Sequence, residues 1–416
     1  MKRFCLVLLF FAGSVCATAQ RTQWVTGFVP VEGLGCLDSS RLYFPSGDQA
    51  FRLFFQRLDT LLREGTGQIN ILHIGGSHVQ AGTFSHQVRM HWQQLAPGML
   101  SCRGLVFPYT VAKTNNPYNY QVKCCGTWSW CKNTQKNASY TLGLSGMVVC
   151  ATTPDCSLQI RLRNSDMYAD FRRVRLLGHS DSNRVLPVLK VGERLYTGEY
   201  DAQSYSFLFE LEAYTDSLEL LFYRVDSLWE PFYIRGFLLD SDAPGVTYHA
   251  VGVNGASVPS YLQCPLLEND LRFVKPDLCI FGIGINDANT DSFDSAEFRR
   301  RYEVLIGEIL HVSPQCRFLF VTNNDSYRSL GRRRSSQNPN GPVVEQTMYR
   351  IAAAHEGAVW DLFAVMGGLG AVRKWEAKGL VQRDKVHFTV AGYKYIGDLL
   401  FSAMMDAYAD YVRKEA

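Results

Sequence analysis

After residue 19, no stretch of the 416-residue chain approaches the roughly 18 consecutive apolar residues that a membrane-spanning helix requires. His-Glu-x-x-His is absent, as are any glycine loop able to cradle a phosphate and any sustained basic patch; the formal charge is only +3. These absences argue against a metalloprotease, a nucleotide-binding enzyme and a nucleic-acid partner. Cys124, Cys125, Cys131, Cys150 and Cys156 crowd into one stretch without the C-x-x-C spacing or partner histidines of a zinc site, so no metal or other cofactor is expected. No internal repeat or low-complexity segment is evident.

What is present begins with a secretory signal. Lys2 and Arg3 precede an apolar run from Leu6 to Ala12, and Ala17-Thr18-Ala19 forms an A-x-A cleavage site before Gln20. Cleavage would remove two positive charges and leave a nearly neutral product in the periplasm or medium. Cys16 is a weaker lipoprotein signal, because Ser14-Val15 is not the small-residue pair such a site prefers. Ten of the twelve cysteines lie beyond the cleavage site, a number compatible with several disulfides stapling a loop-rich module. Cys279 sits in an apolar run and reads as a buried thiol.

The length suggests two domains. Phe51, Phe54, Phe55, Leu58, Leu61 and Leu62 share one face of a helix over 48–63, and Ile69–Ile74 follows as a buried strand. Val79–Leu95 then reads as helical. Between residues 99 and 244 the pattern changes to period-two runs such as 204–212 and 217–225, broken by turns, which predicts an inserted antiparallel β-sandwich. Its early part interleaves Tyr109, Tyr118, Tyr120, Trp128 and Trp130 with Asn115, Asn116, Asn119 and Asn133. Flat rings beside amides suit sugar faces and hydroxyls, so Trp128, Trp130 and Tyr118 are candidate glycan contacts, although aromatics also fill sandwich cores. The αβ rhythm then resumes: strands at 246–253, 277–283, 317–321 and 357–361, with helices at 258–271, from Ser295 as cap, at 343–355 and at 391–412. Such alternation predicts a mostly parallel sheet with helices on both faces and a site at the carboxyl ends of its strands.

Four segments bring acyl-transfer groups to those ends. Ser77, in Gly75-Gly76-Ser77, follows the first strand as a candidate nucleophile. Gly255, in GVNGAS, offers a backbone N–H, and Asn286, in GIGINDA, a side-chain amide. Asp384 and His387, in DKVHFTVAGY, are close enough for the carboxylate to hold Nδ1–H and leave Nε2 facing a serine. Among their neighbours, His73 reads as an interior histidine, His78 as a residue of the first helical turn, Asp287 as a loop anchor and Arg332–Arg334 as a solvated loop.

These four segments resemble blocks I, II, III and V of the SGNH (GDSL-type) hydrolases. The resemblance implies a flavodoxin-like three-layer αβα domain from 20–98 and 245–416, interrupted by the 99–244 insert. It makes Ser77 the nucleophile, His387 the base and Asp384 its orienter, with an oxyanion hole of the Ser77 and Gly255 N–H groups and the Asn286 amide. One departure is Gly76, where the family usually carries Asp. The long insert, DLFAVMGG (361–368) and GLVQRDKVHFT (379–389) are similar to exported esterases that remove O-acetyl groups from bacterial cell-wall glycan, which implies an acetylated polysaccharide or peptidoglycan substrate. Alternatives on the same residues are a lipase, a thioesterase, an O-acetyltransferase, or a glycan-binding protein without chemistry. An α/β-hydrolase would need Gly-x-Ser-x-Gly, and Gly-Gly-Ser-His-Val stands here instead.

Overall fold

Side chains along the buried strands alternate between two cores. Leu278 and Ile280 of the strand Leu278–Gly282 pack in one, Cys279 and Phe281 in the other, and Leu319 and Val321 oppose Phe318 and Phe320 in the strand Arg317–Val321 in the same way. A strand apolar on both faces must be covered on both, and helices cover it here. Helices Arg52–Glu64, Thr83–Gln94 and Val390–Glu415 lie on one side; Leu267–Val274, Ser295–Val312 and Gly341–Ala354 lie on the other. The computed structural model describes residues 24–34, 39–96, 98–163, 170–331 and 334–415. The expected signal segment, Cys36, Arg332 and Arg333 lie outside the described residues.

The central sheet runs Leu42–Tyr43, Ala358–Trp360, Arg317–Val321, Leu278–Gly282, Gln68–Gly75, Gly245–Gly252, Leu100–Cys102. All neighbours are parallel except the first pair. Leaving aside the two short strands 42–43 and 100–102, the order is 2-1-3-4-5, the flavodoxin-like arrangement, whose switch point lies beside the first strand. The edge strand Leu100–Cys102 falls in the stretch that the sequence pattern assigns to the insert, yet it pairs with Gly245–Thr247 of the central sheet.

Two antiparallel sheets fill most of residues 104–240. One, of five strands, is ordered 194–197, 185–191, 217–224, 157–162, 120–125. The other is ordered 199–201, 206–215, 171–180, 232–240, 147–151, 128–132, with 104–106 also on 232–240. Their inward residues, among them Leu158, Leu220, Phe209 and Phe232, share one hydrophobic core with the outer face of the αβ layer. Arg235, on the strand Phe232–Asp240, joins the two regions: its Nη2 donates to Asp270 Oδ1 at 3.0 Å with both side chains fully buried, and Asp270 Oδ2 also accepts the Leu144 N–H at 3.0 Å.

Among the described residues, the expected disulfides are not formed. Cys102, Cys124, Cys125, Cys131, Cys150, Cys156, Cys264, Cys279 and Cys316 are all thiols. Strand register keeps several of them apart: Cys131 stands opposite Val148, Cys150 opposite Ser129, and Cys124 opposite Leu158. Cys279 is buried, as its apolar surroundings suggest. Two predicted helices are divided. Gly82, at φ +77°, separates Ser77–Gln80 from Thr83–Gln94, and residues 262–266 separate Val258–Tyr261 from Leu267–Val274. The helix Ser295–Val312 is capped by Asp294, not Ser295, since the Asp294 carboxylate accepts the N–H groups of Ala296 and Glu297. No helix among the described residues is long and apolar enough to cross a membrane.

Candidate active site

Three glycines stand side by side where three parallel strands end: Gly252 pairs with Gly75, and Gly75 with Gly282. They form the floor under the short helix Ser77–Gln80. A Cβ at Gly75 would lie 2.3 Å from Val79 Cγ2, and one at Gly252 would lie 2.3 Å from the Gln80 nitrogen. Without side chains there, the chain can turn off the strand at once and hold Ser77 at the carboxyl edge of the sheet. The Ser77 N–H lies in the first turn, where N–H groups lack intrahelical acceptors.

His387 reaches Ser77 from the far end of the sequence. The Ser77 hydroxyl lies 2.8 Å from His387 Nε2, and His387 Nδ1 lies 2.7 Å from Asp384 Oδ2. The carboxylate can only accept, so Nδ1 carries the proton and Nε2 is left to accept from the hydroxyl. Asp384 also shapes the turn that carries the imidazole, its Oδ1 accepting the N–H groups of Val386 and His387 at 2.9 and 3.0 Å. Burial pulls the Asp384 carboxyl upward, but its hydrogen bonds from His387 and these N–H groups prevail and hold it below the ordinary carboxylate range. The dyad is open to solvent, with the side chains of His387 and Asp384 35% and 46% exposed.

Helix docking brings the two chain ends together. Asp398, on the helix that follows His387, lies 2.7 Å from His91 Nε2 and accepts from Gln87 Nε2 at 2.6 Å; both partners lie on the helix that follows Ser77. Asn324 supports the turn by donating to the Val386 carbonyl at 3.0 Å. Nothing in the sequence marks Asn324 beyond its place just after a strand end.

On the other side of Ser77, the Asn286 amide donates to the Ala256 carbonyl at 2.8 Å, which leaves its second hydrogen free for a ligand. A Cβ at Gly76 would lie 3.3 Å from Asn286 Nδ2 and 3.4 Å from the Ala256 oxygen. Ser77, the Gly255–Ala256 loop and Asn286 therefore converge. Gly255 takes φ +84°, in the left-handed region that favours glycine.

The neighbouring residues have structural partners. His73 is buried with Nδ1 2.9 Å from the Tyr248 hydroxyl, and His78 Nδ1 lies 2.8 Å from the Tyr393 hydroxyl. The His78 ring centre is 5.4 Å from that of His387. Burial, and then the charge of His387, push the His78 imidazole down to about 3, so it stays neutral beside the dyad. Asp287 accepts the Val258 N–H at 3.1 and 3.2 Å and so anchors the next helix. Tyr118 lies edge-on to His86, after a Pro117 that packs against Gly82. Trp128 packs against Phe222 in the β-rich region and donates to the Cys125 carbonyl; it and Trp130, on the same strand, are partly buried. Among the described residues, no three His, Cys, Asp or Glu side chains gather so as to hold a metal ion.

Residues 231–395 match the GDSL-like lipase/acylhydrolase family, a span that takes in Gly255, Asn286, Asp384 and His387 but stops short of Ser77. Among solved structures the chain is similar to a peptidoglycan O-acetylesterase at 20% identity and a TM-score of 0.71, over 89% of this chain and 99% of that one. A lipase/acylhydrolase from Enterococcus faecalis is 24% identical over 39% of this chain and 77% of its own, with a TM-score of 0.31. An acetyl xylan esterase is 20% identical over 38% and 80%, with a TM-score of 0.30. No curated protein matches the chain. Over residues 231–395 the chain is thus similar to the GDSL-like lipase/acylhydrolase family, whose members hydrolyse esters.

Proposed function

We propose that the protein is an exported serine esterase that removes O-acetyl groups from a cell-wall or other polysaccharide through a Ser77-His387-Asp384 triad. The observation that carries this reading is the unbroken chain from the Ser77 hydroxyl to His387 Nε2 at 2.8 Å and from Nδ1 to Asp384 at 2.7 Å. His387 takes the hydroxyl proton as Ser77 attacks the ester carbonyl. The oxyanion meets the N–H groups of Ser77 and Gly255 and the free Asn286 hydrogen. His387 then protonates the departing sugar alcohol, and water, activated by the same imidazole, releases acetate from the acyl-enzyme.

Residues 20–98 and 245–416, with the edge strand Leu100–Cys102, make up the hydrolase domain in this reading, and the rest of 99–244 an inserted β-sandwich whose aromatics Tyr118, Trp128 and Trp130 help to hold glycan. The common core of the two antiparallel sheets supports the sandwich. Likeness to a peptidoglycan O-acetylesterase along almost the whole chain supports the choice of acetylated glycan over lipid. Export rests on the leader at residues 1–19.

The test is acetate release from O-acetylated peptidoglycan and from acetylated xylan, by wild type and by Ser77→Ala. Release by the wild type alone is expected, with peptidoglycan the better substrate. Equal release by both proteins would remove Ser77 from the chemistry, and faster release from xylan would move the substrate to plant-type glycan.

A further inference from the structure

Gly255 is held by its flanks and not by packing. A Cβ built on it would meet only Thr134 Cγ2, at 4.0 Å, so no side chain presses the glycine into place. On one flank, Ala256 is fixed by Asn286 on its carbonyl and by the Val253 oxygen on its N–H. On the other, the Asn254 N–H donates to Gln80 Oε1 at 2.6 Å. Gln80 is 1% exposed and sits one turn beyond Ser77. Its amide nitrogen donates to Thr114 Oγ1 at 3.0 Å, to the Asn115 carbonyl at 3.0 Å and to Asn115 Oδ1 at 3.1 Å, sharing two hydrogens among three acceptors. Asn254 closes the ring by donating from Nδ2 to Asn115 Oδ1 at 2.6 Å. One buried glutamine thus joins the serine helix, the Gly255 loop and residues 114–115 of the β-rich region.

We propose that Gln80 is the positioning residue of the oxyanion loop, and that through it residues 114–115 of the β-rich region set the direction of the Gly255 N–H. The inference rests on the esterase reading of Ser77 and Gly255. A glycine loop without packing would sample many orientations, and a donor that is not already aimed loses much of its effect on the transition state. An amide is required at position 80 because the side chain must accept from Asn254 and donate to Thr114 and Asn115 together. A glutamate would keep the first bond, lose the others and face the Asn115 oxygens with a negative charge close to the oxyanion; protonated, it would recover one donor.

Hydrolysis of p-nitrophenyl acetate by wild type, Ser77→Ala, Gln80→Met, Gln80→Glu and Asn115→Ala, with thermal unfolding of each, tests this. Gln80→Met is expected to lower kcat roughly 10- to 100-fold while KM stays within about 3-fold. For Gln80→Glu the rate relative to wild type at the same pH should fall as pH rises between about 5 and 9, a titration that mere loosening of the fold would not produce. Asn115→Ala, at an exposed position that leaves the core intact, should lower kcat by about 3- to 10-fold and decides the matter if Gln80→Met does not fold. Unchanged kcat in a folded Gln80→Met, or in Asn115→Ala should Gln80→Met not fold, would overturn the inference alone, as would a flat Gln80→Glu ratio. A wild type no more active than Ser77→Ala would overturn the esterase reading and this inference with it.

Discussion

The two arms of the proposed site, the imidazole arm and the oxyanion arm, are built in opposite ways. The imidazole arm is local: Asp384 and His387 lie three residues apart, and the same carboxylate that orients the ring also accepts the N–H groups of the turn beneath it. The oxyanion arm is assembled from distant pieces, with Gly255, Asn286 and Gln80 on three segments and Thr114 and Asn115 on a fourth. A local arm is specified by a short motif and tolerates solvent, as the exposure of His387 and Asp384 illustrates. In an arm assembled from distant pieces each bond depends on the fold around it, and here the residue that gathers the pieces, Gln80, is the buried one.

Substitutions can break this comparison at its strongest point first. Ser77→Ala removes the atom both arms serve, and hydrolysis should fall by roughly 10⁴- to 10⁶-fold, read as loss of acetate release and of labelling by an organophosphonate. Labelling that survives would place the nucleophile elsewhere. Asp384→Asn cuts the local arm. Its amide can donate to Nδ1, which would move the proton to Nε2 and leave nothing to accept from Ser77; buried equivalents lose about 10⁴-fold, and the half-exposed position here should lie at or below that figure. Because the Asp384 carboxyl is held below its usual range, it stays ionised into acid, and wild-type kcat/KM should show no loss from its protonation above about pH 4. Asn286→Ala cuts the other arm, with an expected drop in kcat of about 100- to 1,000-fold and little change in KM. A variant that lost affinity instead would make Asn286 a substrate contact.

Much of the fold was legible because its strands are apolar on both faces and its long helices on one. The strands at 68–75, 278–282 and 317–321 and the face of Phe54, Phe55, Leu58, Leu61 and Leu62 needed no tertiary knowledge. The two-residue strand Leu42–Tyr43 and the helices Leu362–Met366 and Val372–Ala377 are too short to show a period, and Leu100–Cys102 is a strand only because Gly245–Thr247 pairs with it. The breaks at Gly82 and at 262–266 interrupt patterns that stay apolar on either side. In the site, the residues of the local arm and the strand-end positions of Ser77, Gly255 and Asn286 could be located from motif and topology. Gln80 could not. Its only local sign is a polar side chain one turn after the serine, and its burial comes from Gly252, whose missing side chain lets the helix sit on the strand. The docking of His91 and Gln87 on Asp398 was equally silent, since their separation of more than 300 residues has no trace in either segment.

The smallest expected effect compares two aspartates, one beside each arm. Hydrogen bonds hold Asp384 low, whereas burial raises the Asp287 carboxyl to about 7, with the Val258 N–H and then Arg301 opposing it. A carboxyl whose pKa is raised on folding binds its proton more tightly in the folded chain. It therefore favours the fold fully below the unfolded value of about 4, and that contribution is lost as pH rises through about 7. Asp287→Asn keeps an oxygen for the Val258 N–H and removes the titration. Its denaturant midpoint should change less than that of the wild type between about pH 4 and 8, a difference of a few kcal/mol at most, with the variant the more stable at the alkaline end. Its kcat should stay within about 3-fold of wild type, because the carboxylate anchors the helix that follows the Gly255 loop and not the oxyanion itself. A kcat loss as large as that of Asn286→Ala would make Asp287 part of the assembled arm, and the two aspartates would then differ in environment but not in kind.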